Sequence, residues 1–299
     1  MNDPTPPPLP ARTGPLPFTV LVDEAVRLVR RHFRAIYLPL ALPLALLALA
    51  TGVFQALFFQ SLAGDIESAR FPGLSLPTIL LALAQGIVLG LAMIALQKAT
   101  VDAVAGRPID MKEAWRFALQ PAVVGTLFLQ FLLLTAAAVF CLLPVLYVGP
   151  LLSLTGAVMA EERLYGGKAL SRSSELTRHN PQNSFWETAL FKAFLLMIIT
   201  VAVSYFAALL VTLPFQVPMF ISMFRRAAAG EAPAMGEMAK WMWVQIPSQV
   251  LQMLASVAVY TYSSFGFALL FFDTRSRKEG GDLAAEIHQV FGPAGGSGL

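Results

Sequence analysis

Charge is scarce in this sequence. Lys, Arg, Asp and Glu make up 13% of its 299 residues and hydrophobic residues 57%, whereas a soluble domain carries about a quarter charged residues. Such a chain has too little polar surface to cover a water-soluble fold. Cysteine is nearly absent: Cys141 stands alone, so no intrachain disulfide can form, and within an apolar run it reads as a small buried hydrophobe. Histidine is rare too. His32, His179 and His288 lie far apart in basic or terminal segments, without a second His at ligand spacing, and each reads as a solvated interfacial side chain. There is no HExxH, no phosphate loop and no glycine fingerprint following a strand. Phosphodiester hydrolysis needs metal-binding carboxylates and an acid or base at one place. The sequence therefore predicts no catalytic residue, no metal and no cofactor. "GGDL" at residues 280–283 has the letters of a nucleotide-cyclase turn without the soluble α/β domain that turn needs.

What is abundant is length without charge. Uncharged tracts run over residues 35–64, 71–97, 117–160, 193–224 and 241–272, and a bilayer crossing takes roughly 20 apolar residues. The third tract is long enough for two crossings, with Pro144, Gly149 and Pro150 as punctuation for a hairpin or kink between them. Six crossings result, at about 36–60, 78–97, 121–143, 145–162, 190–214 and 246–272. A re-entrant third-and-fourth pair is the alternative, because Pro150 lies inside the fourth. An even number puts both termini on one side. That side holds seventeen of the 21 Lys and Arg residues, so the positive-inside rule makes both termini cytoplasmic. The positive charge is thus a topology signal. No basic patch stands apart from the membrane edges, so nucleic acid is not an expected partner.

The start, "MNDPTPPPLPARTGPLP", has no charged region leading directly into an apolar core and is not read as a signal peptide. Its prolines favour a solvated, extended tether. The expected organisation is a disordered Pro-rich cytoplasmic tail at 1–17, a six-helix transmembrane domain at 18–290, and a flexible tail at 291–299.

A motif recurs. Basic amphipathic segments beginning at Asp23 ("DEAVRLVRRHF"), Asp110 ("DMKEAWRFAL") and Gly167 ("GKALSRSSELTRHNP") each precede an odd-numbered crossing. Asp110 and Glu113 have capping-box spacing, and Pro181 marks a break in the third copy. Charged helix ends followed by Gly106, Gly166 and Gly280 leave the even-numbered crossings, each glycine suited to a left-handed C-cap. The predicted fold is an all-α integral membrane protein. Its six transmembrane helices form three hairpins, each preceded by a cytoplasmic amphipathic interfacial helix.

The segments "EAVRLVRRHF", "GRPIDMKEAWRFAL" and "ALSRSSELTRHN", and above all the ending "LLFFDTRSRKEGGDL", carry a resemblance. Over roughly residues 17 to 290 the chain resembles the six-helix membrane domain of some bacterial glycerophosphodiester phosphodiesterases and its stand-alone relatives of unassigned function. The ending looks like that family's aromatic-Asp-x-Arg-x-Arg-x-x-Gly pattern. The resemblance implies a membrane domain without catalysis, since in the fused proteins the chemistry belongs to a separate soluble domain.

Several residues carry readings of their own. Asp273 is expected to pair with Arg277 one turn on, or with a cation of a neighbouring interfacial helix. Arg275, Arg277 and Lys278 are expected to face headgroups, with Gly280 or Gly281 ending the helix. In the sixth crossing Gln252, Ser256, Tyr260 and Ser263 or Ser264 form a polar stripe. It reads either as interhelical hydrogen bonding, worth about 0.6 kcal/mol per bond, or as one wall of a polar cavity. Gly86 and Gly90 make a small-xxx-small pair for close helix packing. Between Phe215 and Pro247, Phe220, Met223, Phe224, Met238, Trp241, Met242 and Trp243 suggest helices lying in the outer interface, as a membrane-seated loop, partner surface or lid. The sequence reading is a non-catalytic membrane protein that positions partners or organises lipid, through anionic headgroups at the cytoplasmic face. On this reading the further expected partner is a membrane protein or a second copy of the chain. A transporter or lipid-handling protein using the sixth helix is the alternative.

Overall fold

The structure, a computed structural model, describes residues 16–67, 76–140, 142–178, 185–230 and 235–291. The expectations for Cys141, His179, Pro181, the segment before Leu16 and the tail after Phe291 fall outside these residues, as does the side chain of His288. Among the described residues the chain is all-helical, with no strand. The helices are α1 (Phe18–Glu67), α2 (Leu76–Val104), α3 (Met111–Ala118), α4 (Pro121–Phe140), α5 (Leu142–Leu152), α6 (Thr155–Glu162), α7 (Gly167–Thr177), α8 (Ala189–Ala228) and α9 (Met235–Phe291).

Six stretches are long and apolar enough to cross a membrane: Phe18–Phe58, Leu83–Val104, Pro121–Val139, Pro144–Glu162, Ala189–Ala228 and Lys240–Glu279. The fold is that of a multi-pass helical membrane protein. Only 6% of the apolar window in α8 and 11% of that in α4 is buried by protein. Side chains such as Phe128, Phe131, Phe206 and Leu210 point outward, which acyl chains would solvate and water would not.

Helix continuity departs from the sequence reading at several points. The first basic segment is not a separate helix, because α1 runs unbroken through it and into the apolar tract. Neither glycine nor proline occurs between Phe18 and Tyr37 to end it. The second segment is separate: α3 stops at Ala118 and α4 starts at Pro121, since a proline pushes the residue before it out of helical geometry. Nor, among the described residues, are there separate helices between Phe215 and Pro247. α8 continues past Pro214 and Pro218, and α9 begins at Met235, with Trp243 exposed and Trp241 half-buried.

Of the three predicted glycine caps one forms. Gly106, at φ 73, closes α2, and the Arg107 amide donates to the Asp102 carbonyl at 2.8 Å. Gly166 precedes α7 as its N-cap, and Arg163 instead takes the left-handed position after α6. Gly280 and Gly281 lie inside α9, which continues to Phe291. Glycine costs a helix about 1 kcal/mol, and the helix formers Leu283, Ala284, Ala285 and Glu286 just beyond offset it.

The chain forms two compact units. Unit 1 takes residues up to Phe33, Ile94–Ile198 and from Tyr262 onward; unit 2 takes Arg34–Met93 and Ile199–Thr261. In unit 2, α1 meets α9 through polar groups within the apolar tracts. Gln249 Nε2 donates to Gln55 Oε1 at 3.1 Å, the Tyr37 hydroxyl to the Leu254 carbonyl at 3.2 Å, and a Cβ on Gly52 would lie 2.9 Å from Gln249 Oε1.

The core of unit 1 is built from Leu21, Leu96, Leu154, Met159, Leu196, Phe265 and Phe271. His32 is half-buried there and stacks on Phe265 with ring centroids 6.3 Å apart, in place of the solvated position expected for it. The helical path breaks at Ser153 and Leu154, just after Pro150, the last proline of α5. A break in an apolar setting leaves carbonyls without partners, each costly unless satisfied. Side chains take them up. The Leu151 carbonyl accepts from Ser173 Oγ at 2.8 Å and from Thr177 Oγ1 at 3.3 Å. The Leu152 carbonyl accepts from Thr155 Oγ1 at 2.7 Å and Gln130 Nε2 at 3.4 Å, and the Pro150 carbonyl from Ser153 Oγ at 2.8 Å. Ser173 and Thr177 are fully buried on α7. Converting them together to Ala and Val is expected to lower stability by about 2 kcal/mol, the cost of orphaning one buried carbonyl. Thermal unfolding in detergent would measure it, and an unchanged midpoint would show that the break needs no support from α7.

Candidate functional site

The polar groups of unit 1 gather around the ends of α2 and α6, beside α7 and the stretch of α9 that carries Arg275 and Glu279. α2 carries Lys98 and Asp102 one turn apart, so their side chains share a face and form an ion pair. The glycine cap at Gly106 then turns the chain so that Arg107 returns to Asp102, with Nε 2.8 Å from Oδ1. Its Nη2 also bonds Glu161 at the end of α6. Arg275 of α9 approaches Glu161 and Glu162 at 3.9 and 3.8 Å and bonds Glu279 at 2.9 Å. Arg172 of α7 bonds Glu162 at 3.0 Å and Glu279 at 2.7 Å, and reaches Glu175 at 3.4 Å. The result is one connected network of carboxylates and guanidiniums.

Its electrostatics are set by those pairings. For Arg172 the hydrogen bond to Glu162 outweighs burial and raises the pKa further. For Arg107 burial pulls the pKa down, but bonding and attraction from Glu161 and Asp102 outweigh it and the net shift is upward. Both side chains stay charged at any accessible pH.

A second cluster involves Asp273. Arg277 Nη2 donates to Asp273 Oδ2 at 2.8 Å, and the Leu16 amide to Oδ1 at 3.2 Å. Lys192 Nζ, on a residue only 2% exposed, donates to the Leu16 carbonyl at 2.7 Å. Arg275, Arg277 and Lys278 are thus engaged by protein, Lys278 through the Glu175 carbonyl.

Beside the network opens a cavity of about 360 Å³, lined by Lys98, Arg107, Arg116 and Arg163, by Glu113 and Glu161, and by Phe117, Gln120, Ala160 and Tyr165. Asp110 caps α3, accepting from the Lys112 amide at 2.8 Å and the Glu113 amide at 3.3 Å. The helix so begun is amphipathic: Met111, Ala114, Phe117 and Ala118 are buried while Lys112, Glu113 and Arg116 are exposed. Gly166 is held by its amide donating to Thr126 Oγ1 at 2.6 Å.

The other residues singled out in the sequence lie elsewhere. Gln252, Ser256 and Tyr260 are half-buried in unit 2, Ser263 and Ser264 are buried in unit 1, and none of the five lines the cavity. A Cβ on Gly86 would meet nothing within 4 Å, so this exposed glycine has no close neighbour among the described residues; Gly90 is half-buried. Among the described residues no three His, Cys, Asp or Glu side chains are placed to hold a metal ion.

The sequence reading missed Asp102, Arg107, Glu161, Glu162 and Arg172 as a group. One signal was available: Glu161 and Glu162 stand side by side where an apolar tract ends, a position that demands cations from elsewhere in the chain.

No family model, curated protein or solved structure matches this chain.

Proposed function

We propose that this protein is a non-catalytic, multi-pass protein of a bacterial inner membrane whose cytoplasmic end gathers anionic lipid and positions partners beside it. One observation carries this reading. Among the described residues every Lys and Arg except Arg34, Arg225, Arg226 and Lys240 belongs to unit 1. Six carboxylates there, Asp102, Glu161, Glu162, Glu175, Asp273 and Glu279, are drawn into internal pairs with Arg107, Arg172, Arg275 and Arg277, while Lys112, Lys168 and Arg178 stay exposed. Each cation beside an anionic leaflet contributes about 1 kcal/mol to attraction.

On this reading the six crossings form three hairpins with both termini cytoplasmic. α3 and α7 lie along the inner leaflet, apolar residues toward the protein and cations toward headgroups. The likeness to the membrane domain of glycerophosphodiester phosphodiesterases supports a role without chemistry of its own. Transport along the polar stripe of α9 gains nothing from the cavity, which is lined by other residues.

Native mass spectrometry after gentle extraction tests the proposal. Anionic lipids are expected to be enriched several-fold over the bulk membrane, and to fall toward bulk composition in the Lys112→Gln, Lys168→Gln, Arg178→Gln triple variant. A wild-type lipid profile equal to the bulk would refute it.

A further inference from the structure

We infer that the cavity beside α3 and α6 is a binding site for one phosphate-bearing anion. The inference rests on the reading of unit 1 as an anion-facing end and adds to it a single, specific pocket. Four cations line the cavity against two carboxylates. Even with Asp102 counted behind Lys98 and Arg107, the lining keeps a positive excess. Those two cations are already held, Lys98 by Asp102 and Arg107 by Asp102 and Glu161. Arg116 and Arg163 are not. Among the described residues no ion pair or hydrogen bond engages either guanidinium, and both side chains line the same space. Two guanidiniums with five donors each, in fixed planar forks, suit the several oxygens of a phosphate better than the two of a carboxylate.

The backbone gives independent support. Arg163 holds φ 54, the only positive φ outside glycine among the described residues. The position after a helix end is one that glycine normally fills, and conformations of this kind cluster at ligand sites. An arginine there gives up backbone comfort and places a cation at the cavity. The size fits as well. About 360 Å³ is at the low end for small-ligand sites and leaves room beyond a bare phosphate. Gln120 and Tyr165, whose side chains lie 3.5 Å apart, offer polar contacts for whatever the phosphate carries, and Phe117 and Ala160 form an apolar wall. The phosphate can belong to a lipid headgroup or to a soluble ester, since both present the same oxygens.

The test uses the full chain in two settings. In non-ionic detergent, inorganic phosphate is titrated by calorimetry. In phosphatidylcholine nanodiscs with and without phosphatidic acid, bound phosphatidic acid is counted by native mass spectrometry. Wild-type protein is expected to bind at least one probe saturably at one site. Arg116→Gln and Arg163→Gly are each expected to weaken that binding about tenfold or more, the loss of a hydrogen bond to a charged group, while Arg225→Gln leaves it unchanged. Arg163→Gly should do so at an unchanged or higher melting temperature, because glycine accepts positive φ without strain. Binding of phosphate from solution assigns the site to a soluble ester; binding of phosphatidic acid alone assigns it to a headgroup. No saturable binding of either probe, or binding undiminished in either arginine variant, overturns the site. General enrichment of anionic lipid that survives in both variants leaves the wider proposal standing, and loss of that enrichment with the site intact removes only the wider proposal.

Discussion

Asp273→Asn is expected to cost about 3 kcal/mol of stability, the low end for removing one partner of a buried ion pair. The residue is only 8% exposed, and three groups depend on it. Arg277 bonds it at 2.8 Å, and the Leu16 amide at 3.2 Å. Lys192, buried on α8, holds the Leu16 carbonyl at 2.7 Å, so Leu16 is gripped at both its amide and its carbonyl. Asparagine can still accept from Leu16, but it cannot balance Arg277 and Lys192. A quarter of the Arg277 side chain remains exposed, which is why the lower end of the range applies. Unfolding in detergent would read the loss. Adding Lys192→Met, which removes the buried cation and keeps its apolar stem, is expected to recover more than half of it. A shift below about 0.5 kcal/mol for the single variant, the size of an ordinary surface substitution, would mean that the aspartate is not a structural charge.

Gly156→Ala is expected to cost about 2 kcal/mol, in the range for overfilling a packed core. Gly156 lies in the buried run of α6, and a Cβ there would fall 1.3 Å from Gln97 Oε1 and 2.4 Å from its Cδ. The whole amide of Gln97 must leave its place. That amide is poorly anchored, since its Oε1 is buried without a hydrogen-bond partner. Gln97→Ala alone should therefore cost less than a buried, fully bonded glutamine would. In the Gly156→Ala background it should restore stability, with a coupling of about 1 kcal/mol or more between the two changes. Strictly additive losses in the double-mutant cycle would show that the glycine is needed for another reason.

What could be read in the sequence came from local physics. Apolar length without charge is a property of a contiguous segment, so the tracts at 35–64 and 193–224 announced membrane helices unaided. Pairs four apart share a helix face whatever else the chain does, and so Asp273 with Arg277 was legible. Gly106 was legible as a candidate end for α2, because glycine takes a positive φ without strain.

The rest was decided between segments distant in the chain. Arg107 meets Glu161 across 54 positions and Arg172 meets Glu279 across 107, and no periodicity encodes such pairings; they form because packing brings α2, α6, α7 and α9 together. The same limit explains the glycines. Gly166 and Gly280 stand in surroundings like those of Gly106, yet one starts a helix and the other lies within one. The sequence by itself determined that this is a helical membrane protein with a basic side. Only the tertiary structure decided which cations are neutralised and which remain free at a cavity, because charge compensation depends on distances through space and not along the chain.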